Sequence, residues 1–147
     1  MQKLIIFLII FFNFGNLFSN EEYFLTLRNE KVNLRQGPSF DYPVKIFYKK
    51  KYLPVLVQDK SDNFRKIRDH ENNSGWVHIS QLSKKKAAIV IDDDLILFSN
   101  STIYSNPVAL IKKGRLVKIQ KCKENWCKIK TGEFKGWIKK ESLWGLL

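Results

Sequence analysis

The chain has 147 residues, 44% of them hydrophobic, with 26 Lys and Arg against 14 Asp and Glu and a formal net charge of +12. That apolar content excludes a disordered polyelectrolyte, and the length holds one ordinary domain or two very small ones. Two cysteines are too few for a disulfide-rich scaffold, and so basic a field attracts polyanions and anionic surfaces.

The first stretch is not a fold element. Residues 1–20, MQKLIIFLIIFFNFGNLFSN, carry one early cation, Lys3, then an apolar run from Leu4 to Phe12 and a polar, small-residue patch before Glu21-Glu22. This is the layout of a secretory signal peptide, with cleavage expected after Ser19; a retained membrane anchor is the alternative. A spanning helix needs about 20 apolar residues, and Asn13, Gly15 and Asn16 interrupt this run. The mature chain is therefore expected to be exported, to the periplasm, with no transmembrane segment. Its anionic partners would be lipid head groups, lipopolysaccharide or wall polymers. Basic charge interleaved with aromatics also suits a single-strand nucleic-acid binder, but export argues against it, and that reading holds only for a chain that stays inside the cell. Part of the Lys excess also fits the compositional bias of an AT-rich genome, given the abundance of Lys, Ile, Asn and Phe.

Past residue 21 there is little helical periodicity. Short runs rich in Val, Ile, Leu, Phe and Tyr alternate with turn residues, which predicts an all-β fold. The expected strands are YFLTL, VNLR, PVKIFY, LPVLV, FRKIR and GWVHI, then AAIVI, LILF, TIYS, LVKIQ, WCKIK and GWIKK. The halves match in order: LRQGP (34–38) with IYSNP (103–107), LPVLVQDKSDNFRKI (53–67) with RLVKIQKCKENWCKI (115–129), and GWVHISQL (75–82) with GWIKKESL (136–143). In each copy the Gly is expected to end a hairpin turn, the Trp to start a strand, and the leucine six residues later to close the unit. On this alignment the second copy has a shorter early loop. Two domains follow, 22–86 and 87–147, each a small, strongly bent β-barrel that hides its sheet edges, joined by KKKAA at 84–88 as a fixed pair. The basic excess is shared, with 14 basic and 6 acidic residues in 23–86 and 11 and 6 in 87–147.

Both cysteines, Cys122 and Cys127, lie in KCKENWCK. With KENW as a hairpin tip they face each other, and in an oxidising compartment they are expected to form a structural disulfide. Zinc needs four ligands and no third Cys or nearby His exists, so no metal is expected; the spacing is not that of a C-x-x-C redox pair.

These residues resemble the bacterial SH3-like domain family, and most closely its exported tandem group common in alphaproteobacteria. The resemblance rests on VNLRQGPSFDYPV at 32–44, FRKIRDHENNSGWVH at 64–78 with Phe64 where Trp is usual, and CKENWCKIKTGEFKGWI at 122–138 followed by LWG at 143–145. It implies two tandem SH3-like β-barrels that bind rather than catalyse, some relatives attaching hydrolases to peptidoglycan and others mediating protein contacts. The second copy lacks the Arg and Gly of the opening motif.

A catalytic reading needs a nucleophile with a base, a metal cluster or paired carboxylates. His70 and His78 are the only histidines, both in the first copy, while both cysteines lie in the second; Asp92, Asp93 and Asp94 read as a solvated turn. No enzyme activity and no cofactor are expected. A binding groove needs aromatic walls and a few placed polar groups. The first copy supplies Arg35, able to meet a carboxylate, with Tyr42, Trp76 and His78 beside it. Alternation in GWVHI puts Trp76, His78 and Ser80 on one face and leaves Val77 and Ile79 as the core pair. Trp76 can therefore touch ligand, cover a barrel end or pack at the seam between units, and Trp144 is expected to anchor the C-terminal end. The expected ligand is a peptidoglycan peptide or an envelope protein. The alternative is an adaptor holding anionic lipid or polymer by charge alone.

Overall fold

The computed structural model describes residues 20–147, so the signal-peptide reading lies outside the described residues. The first unit contains β1 (Tyr23–Leu27), β2 (Val32–Arg35), β3 (Val44–Tyr48), β4 (Pro54–Ser61), β5 (Phe64–Arg68), β6 (Ser74–His78), a 3-10 turn (Ile79–Gln81) and β7 (Leu82–Ser83). The second contains β8 (Ala87–Val90), β9 (Leu95–Phe98), β10 (Pro107–Ile111), β11 (Leu116–Lys123), β12 (Trp126–Thr131), β13 (Phe134–Lys139), a 3-10 turn (Lys140–Ser142) and β14 (Leu143–Trp144). Each unit is a seven-stranded antiparallel sheet, ordered β3-β2-β6-β5-β4-β1-β7 and β10-β9-β13-β12-β11-β8-β14, so one topology is used twice. The all-β architecture of two small units in tandem is as expected. No described helix is long and apolar enough to cross a membrane.

Alternation along the strands builds the two cores. Leu27, Val32, Leu34, Val55, Ile67 and Val77 close the first, and Val90, Leu97, Val117, Ile129 and Ile138 close the second. Each such side chain contributes about 1.5–3 kcal/mol by leaving water. The repeated Gly-Trp has its physical cause here. Gly75 and Gly136 are buried inside strands rather than at turn ends, opposite Ile67 and Ile129. A Cβ on Gly75 would lie 2.7 Å from the Arg35 carbonyl oxygen and 2.8 Å from Leu34; on Gly136, 2.5 Å from the Phe98 carbonyl oxygen and 2.8 Å from Leu97. Only glycine lets β6 and β13 cross β2 and β9 this closely.

That crossing also corrects the alignment of the halves. Arg35 pairs with Trp76 and Phe98 pairs with Trp137, so Arg35 corresponds to Phe98, and LRQGP corresponds to 97–101 rather than to IYSNP. The loops after β2 and β9 are then equal in length, with Arg35 opposite Val44 and Phe98 opposite Pro107. TIYS is not a strand. It belongs to the loop after β9, where the Ser105 hydroxyl accepts from the Asn100 amide and hydrogen-bonds the Asn100 and Thr102 carbonyls; the strand is PVALI instead. Ile79 is 43% exposed and not a core residue, because β6 ends at His78 and the 3-10 turn breaks the alternation.

The two units are packed together. Ile89, hydrogen-bonded into the second sheet, is buried in the first core, and Leu116 packs against that core. Trp144 sets its ring edge-on to Phe24 of the first unit at 4.9 Å. Gly145, at φ +127°, passes where a Cβ would lie 2.9 Å from Pro54.

Candidate functional site

In each unit the loop after the second strand, the tight turn between the fourth and fifth strands and the 3-10 turn meet at one pole. In the first unit Arg35 organises it. Its Nη1 donates to the carbonyls of Tyr42 (2.8 Å) and Phe40 (3.2 Å), and the guanidinium lies 5.3 Å from the Phe40 ring centroid. The Gln36 amide closes the same loop by donating to the Pro43 carbonyl. Tyr42 folds its ring over Gly37, where a Cβ would lie 2.5 Å from ring carbons, so the Gly of the opening motif is the seat of a tyrosine. Trp76 is half-buried, opposite Arg35 on β2 and Lys66 on β5, and His78 lies opposite Phe64.

Three of the four sequence-predicted residues, Arg35, Trp76 and His78, thus share the outer face, with Tyr42 on the loop that Arg35 holds. The residue missed is Phe40. Its ring lies 5.2 Å from Phe64 and 5.0 Å from His78, and those two lie 5.1 Å from each other. Phe40 thereby covers the space between loop and 3-10 turn. His78 caps that turn: its Nδ1 accepts from the Ser80 amide and lies 2.7 Å from Ser80 Oγ, which leaves the neutral ring's proton on Nε2. Arg35 therefore acts first as a loop clasp and His78 as a cap and packing partner.

The same pole of the second unit is open. Phe98 takes the Arg35 place and meets Trp126 edge-on at 5.8 Å, Lys139 takes the His78 place, and by the corrected register Ile103 takes that of Phe40. Ile103 does not cover the gap, and a cleft of about 770 Å³ remains, lined by Ile103, Asn125, Trp126, Lys139, Glu141 and Leu146 among others. It offers an apolar wall from Trp126, Ile103 and Leu146, a cation at Lys139, and an anion at Glu141 3.9 Å from that ammonium. Such a cleft can hold an extended, amphipathic, charge-bearing ligand. Cys122 and Cys127 pair in register beside it and form a disulfide, with a Cα–Cα distance of 4.0 Å, as expected from the hairpin.

The bacterial SH3 domain profile matches residues 28–84 and 101–145, and the chain belongs to that family, with two copies in tandem. Among solved structures it is similar to NlpC2 from Trichomonas vaginalis, at 11% identity and a TM-score of 0.39, over 84% of this chain and 48% of that one. It is similar also to NlpC1 from Trichomonas vaginalis, at 12% identity and a TM-score of 0.38, over 93% of this chain and 50% of that one. The chain spans about half the length of these two structures. No curated protein matches it.

Proposed function

We propose that the chain is a non-enzymatic binding module of the cell envelope that recognises a peptidoglycan peptide or an envelope protein through its SH3-like units. The observation that carries this reading is the open, tryptophan-walled cleft of the second unit, at the pole that Phe40 covers in the first. Family membership supports a cell-wall-related role, and the disulfide is in keeping with an extracellular or envelope setting. Binding is favoured over catalysis because both cysteines and one of the two histidines, the groups best suited to act as nucleophile or base, are otherwise engaged. Both cysteines are in the disulfide, and His78 is held by Ser80, Phe40 and Phe64. Periplasmic export by residues 1–20 completes the proposal.

Retention on purified sacculi at low and moderate salt tests it. The whole chain should be retained, and Trp126→Ala should reduce retention roughly tenfold by removing an aromatic wall. No retention at either salt overturns the wall-peptide version and leaves an envelope protein, to be identified by cross-linking from the Lys139 side of the cleft.

A further inference from the structure

A second cleft, of about 370 Å³, lies where the units meet, lined by Lys50 of the first unit and by Arg115, Leu116, Lys118, Lys130, Thr131 and Gly132 of the second. Four of its seven lining residues are cationic and none is acidic. Arg115 is preorganised. Its Nε donates to Thr131 Oγ1 at 2.8 Å, Thr131 is only 6% exposed, and that bond leaves both Nη groups of the fork for another partner. Lys118 continues the cleft towards Tyr52. Its Nζ lies 4.8 Å from the Tyr52 ring centroid, with Lys51 at 5.3 Å and Lys85 at 5.5 Å round the same ring. Tyr52 is fixed at φ 65° and its amide donates to the Leu27 carbonyl, so the ring is a set feature of the seam. The lysines also act on its hydroxyl: a hydrogen bond from Lys85, then the charges of Lys51 and Lys118, hold it below the ordinary tyrosine value.

Among the described residues none of these six cations forms an ion pair. Among the described residues only Lys112, with Asp94, and Lys139, with Glu141, are Lys or Arg side chains in ion pairs, so what sets this cleft apart is the convergence of its cations and not their being unpaired. Bringing so many like charges together costs energy unless an anion joins them. A single carboxylate, with one charge and two oxygens, would satisfy the Arg115 fork and little else. A phosphate ester carries up to two charges and offers enough oxygens for the fork and the flanking ammoniums together.

We infer that the cleft between Lys50, Arg115, Lys118 and Lys130 is a binding site for a phosphate ester, built jointly by the two units. The inference does not rest on the wall-peptide reading, since it uses neither the Trp126 cleft nor the Phe40 pole. Two sources share this chemistry, a lipid head group and a soluble phosphorylated compound. The test gives the whole, disulfide-intact chain phosphatidylcholine vesicles with and without phosphatidic acid, and in parallel titrates it with glycerol 3-phosphate and with acetate.

The site predicts binding to at least one phosphate probe, with acetate weaker by roughly tenfold. Loss of binding by about tenfold is expected for Lys118→Gln and for Lys50→Gln, and by less than twofold for Lys66→Gln, which removes the same charge on the outer face near Trp76. Arg115→Gln serves as a third variant, read only if its melting temperature is unchanged, because Arg115 also holds Thr131. Binding to vesicles alone assigns a lipid source, and binding to glycerol 3-phosphate assigns a soluble one. Failure of both phosphate probes overturns the inference. So does equal weakening by Lys66→Gln, which would report a diffuse field rather than a site, and so does acetate binding as tightly as phosphate.

Discussion

The two units share a topology but secure it differently. In the first, Tyr48 and Asp69 form a buried polar pair: the Tyr48 hydroxyl donates to Asp69 Oδ2 at 2.9 Å, and Asp69 also accepts from the amides of Glu71 and Asn73 and from Asn73 Nδ2. In the second, Ile111 takes the place of Tyr48 and Thr131 that of Asp69, and the turn after β12 is correspondingly short, with Thr131 facing Phe134. The second unit instead carries a disulfide at the opposite hairpin, where the first has Lys60 facing Arg65. One copy thus orders a long turn with a buried carboxylate, and the other staples a tip covalently. The open cleft adjoins the stapled tip, where a covalent link fixes the wall of a pocket that has no plug to support it.

This comparison breaks most visibly at Asp69. Asp69→Ala strips four donors of a buried acceptor and should cost about 3 kcal/mol or more, whereas Thr131→Ala should cost about 1 kcal/mol, both read from urea unfolding. Next is the disulfide. Replacing Cys122 and Cys127 by Ser together should cost about 2 kcal/mol, because the closed loop is short, and should leave Lys60→Gln in the first unit without a comparable effect.

Alkali separates the units more finely. Burial first, then the hydrogen bond to Asp69 and the charges of Asp69 and Glu71, push the Tyr48 hydroxyl far above the ordinary tyrosine value. A raised folded value means the stabilisation is complete below about pH 10, the unfolded value, and is lost as pH rises above it, by up to about 1.4 kcal/mol per unit. Tyr48→Phe should therefore flatten the alkaline fall in stability expected of the unsubstituted chain; an unchanged slope would sink the assignment. The smallest effect on stability is at Phe40. Already 64% exposed, it should cost about 1 kcal/mol or less on Phe40→Ala, yet the substitution should open a first-unit cleft that a hydrophobic dye or the sacculus ligand can enter.

Most of the fold was legible because period-two alternation and turn residues act locally. YFLTL, VNLR, FRKIR and AAIV are all strands, and the two Gly-Trp marks locate the repeat. What failed needed contacts between distant residues. Matching Pro38 with Pro107 by letter misplaced the second copy's loop, because the true register is set by β6 and β13 crossing β2 and β9. Ile79 looked like core because alternation was carried one residue beyond the strand. The site was legible only in part. Trp76 and His78 share a face as alternation in GWVHI predicts, and pairing of β2 with β6 adds Arg35, but Phe40 lies in an irregular loop where no periodicity marks a packing residue. Of the cations round Tyr52, Lys118 comes from the second unit, and only the packing of the units brings it to Lys51 and Lys85.

Ile89 has a consequence for how such a chain can change over generations. A duplicated module is ordinarily free to be copied, reordered or lost at its connector. Here the first unit holds a socket for a side chain encoded beyond the connector, at 1% exposure within the first core. Deleting or swapping the second copy would leave that socket empty, at a cost of about 2–5 kcal/mol for a missing aliphatic side chain. Loss of the second copy would thus destabilise the first, whatever each half comes to bind.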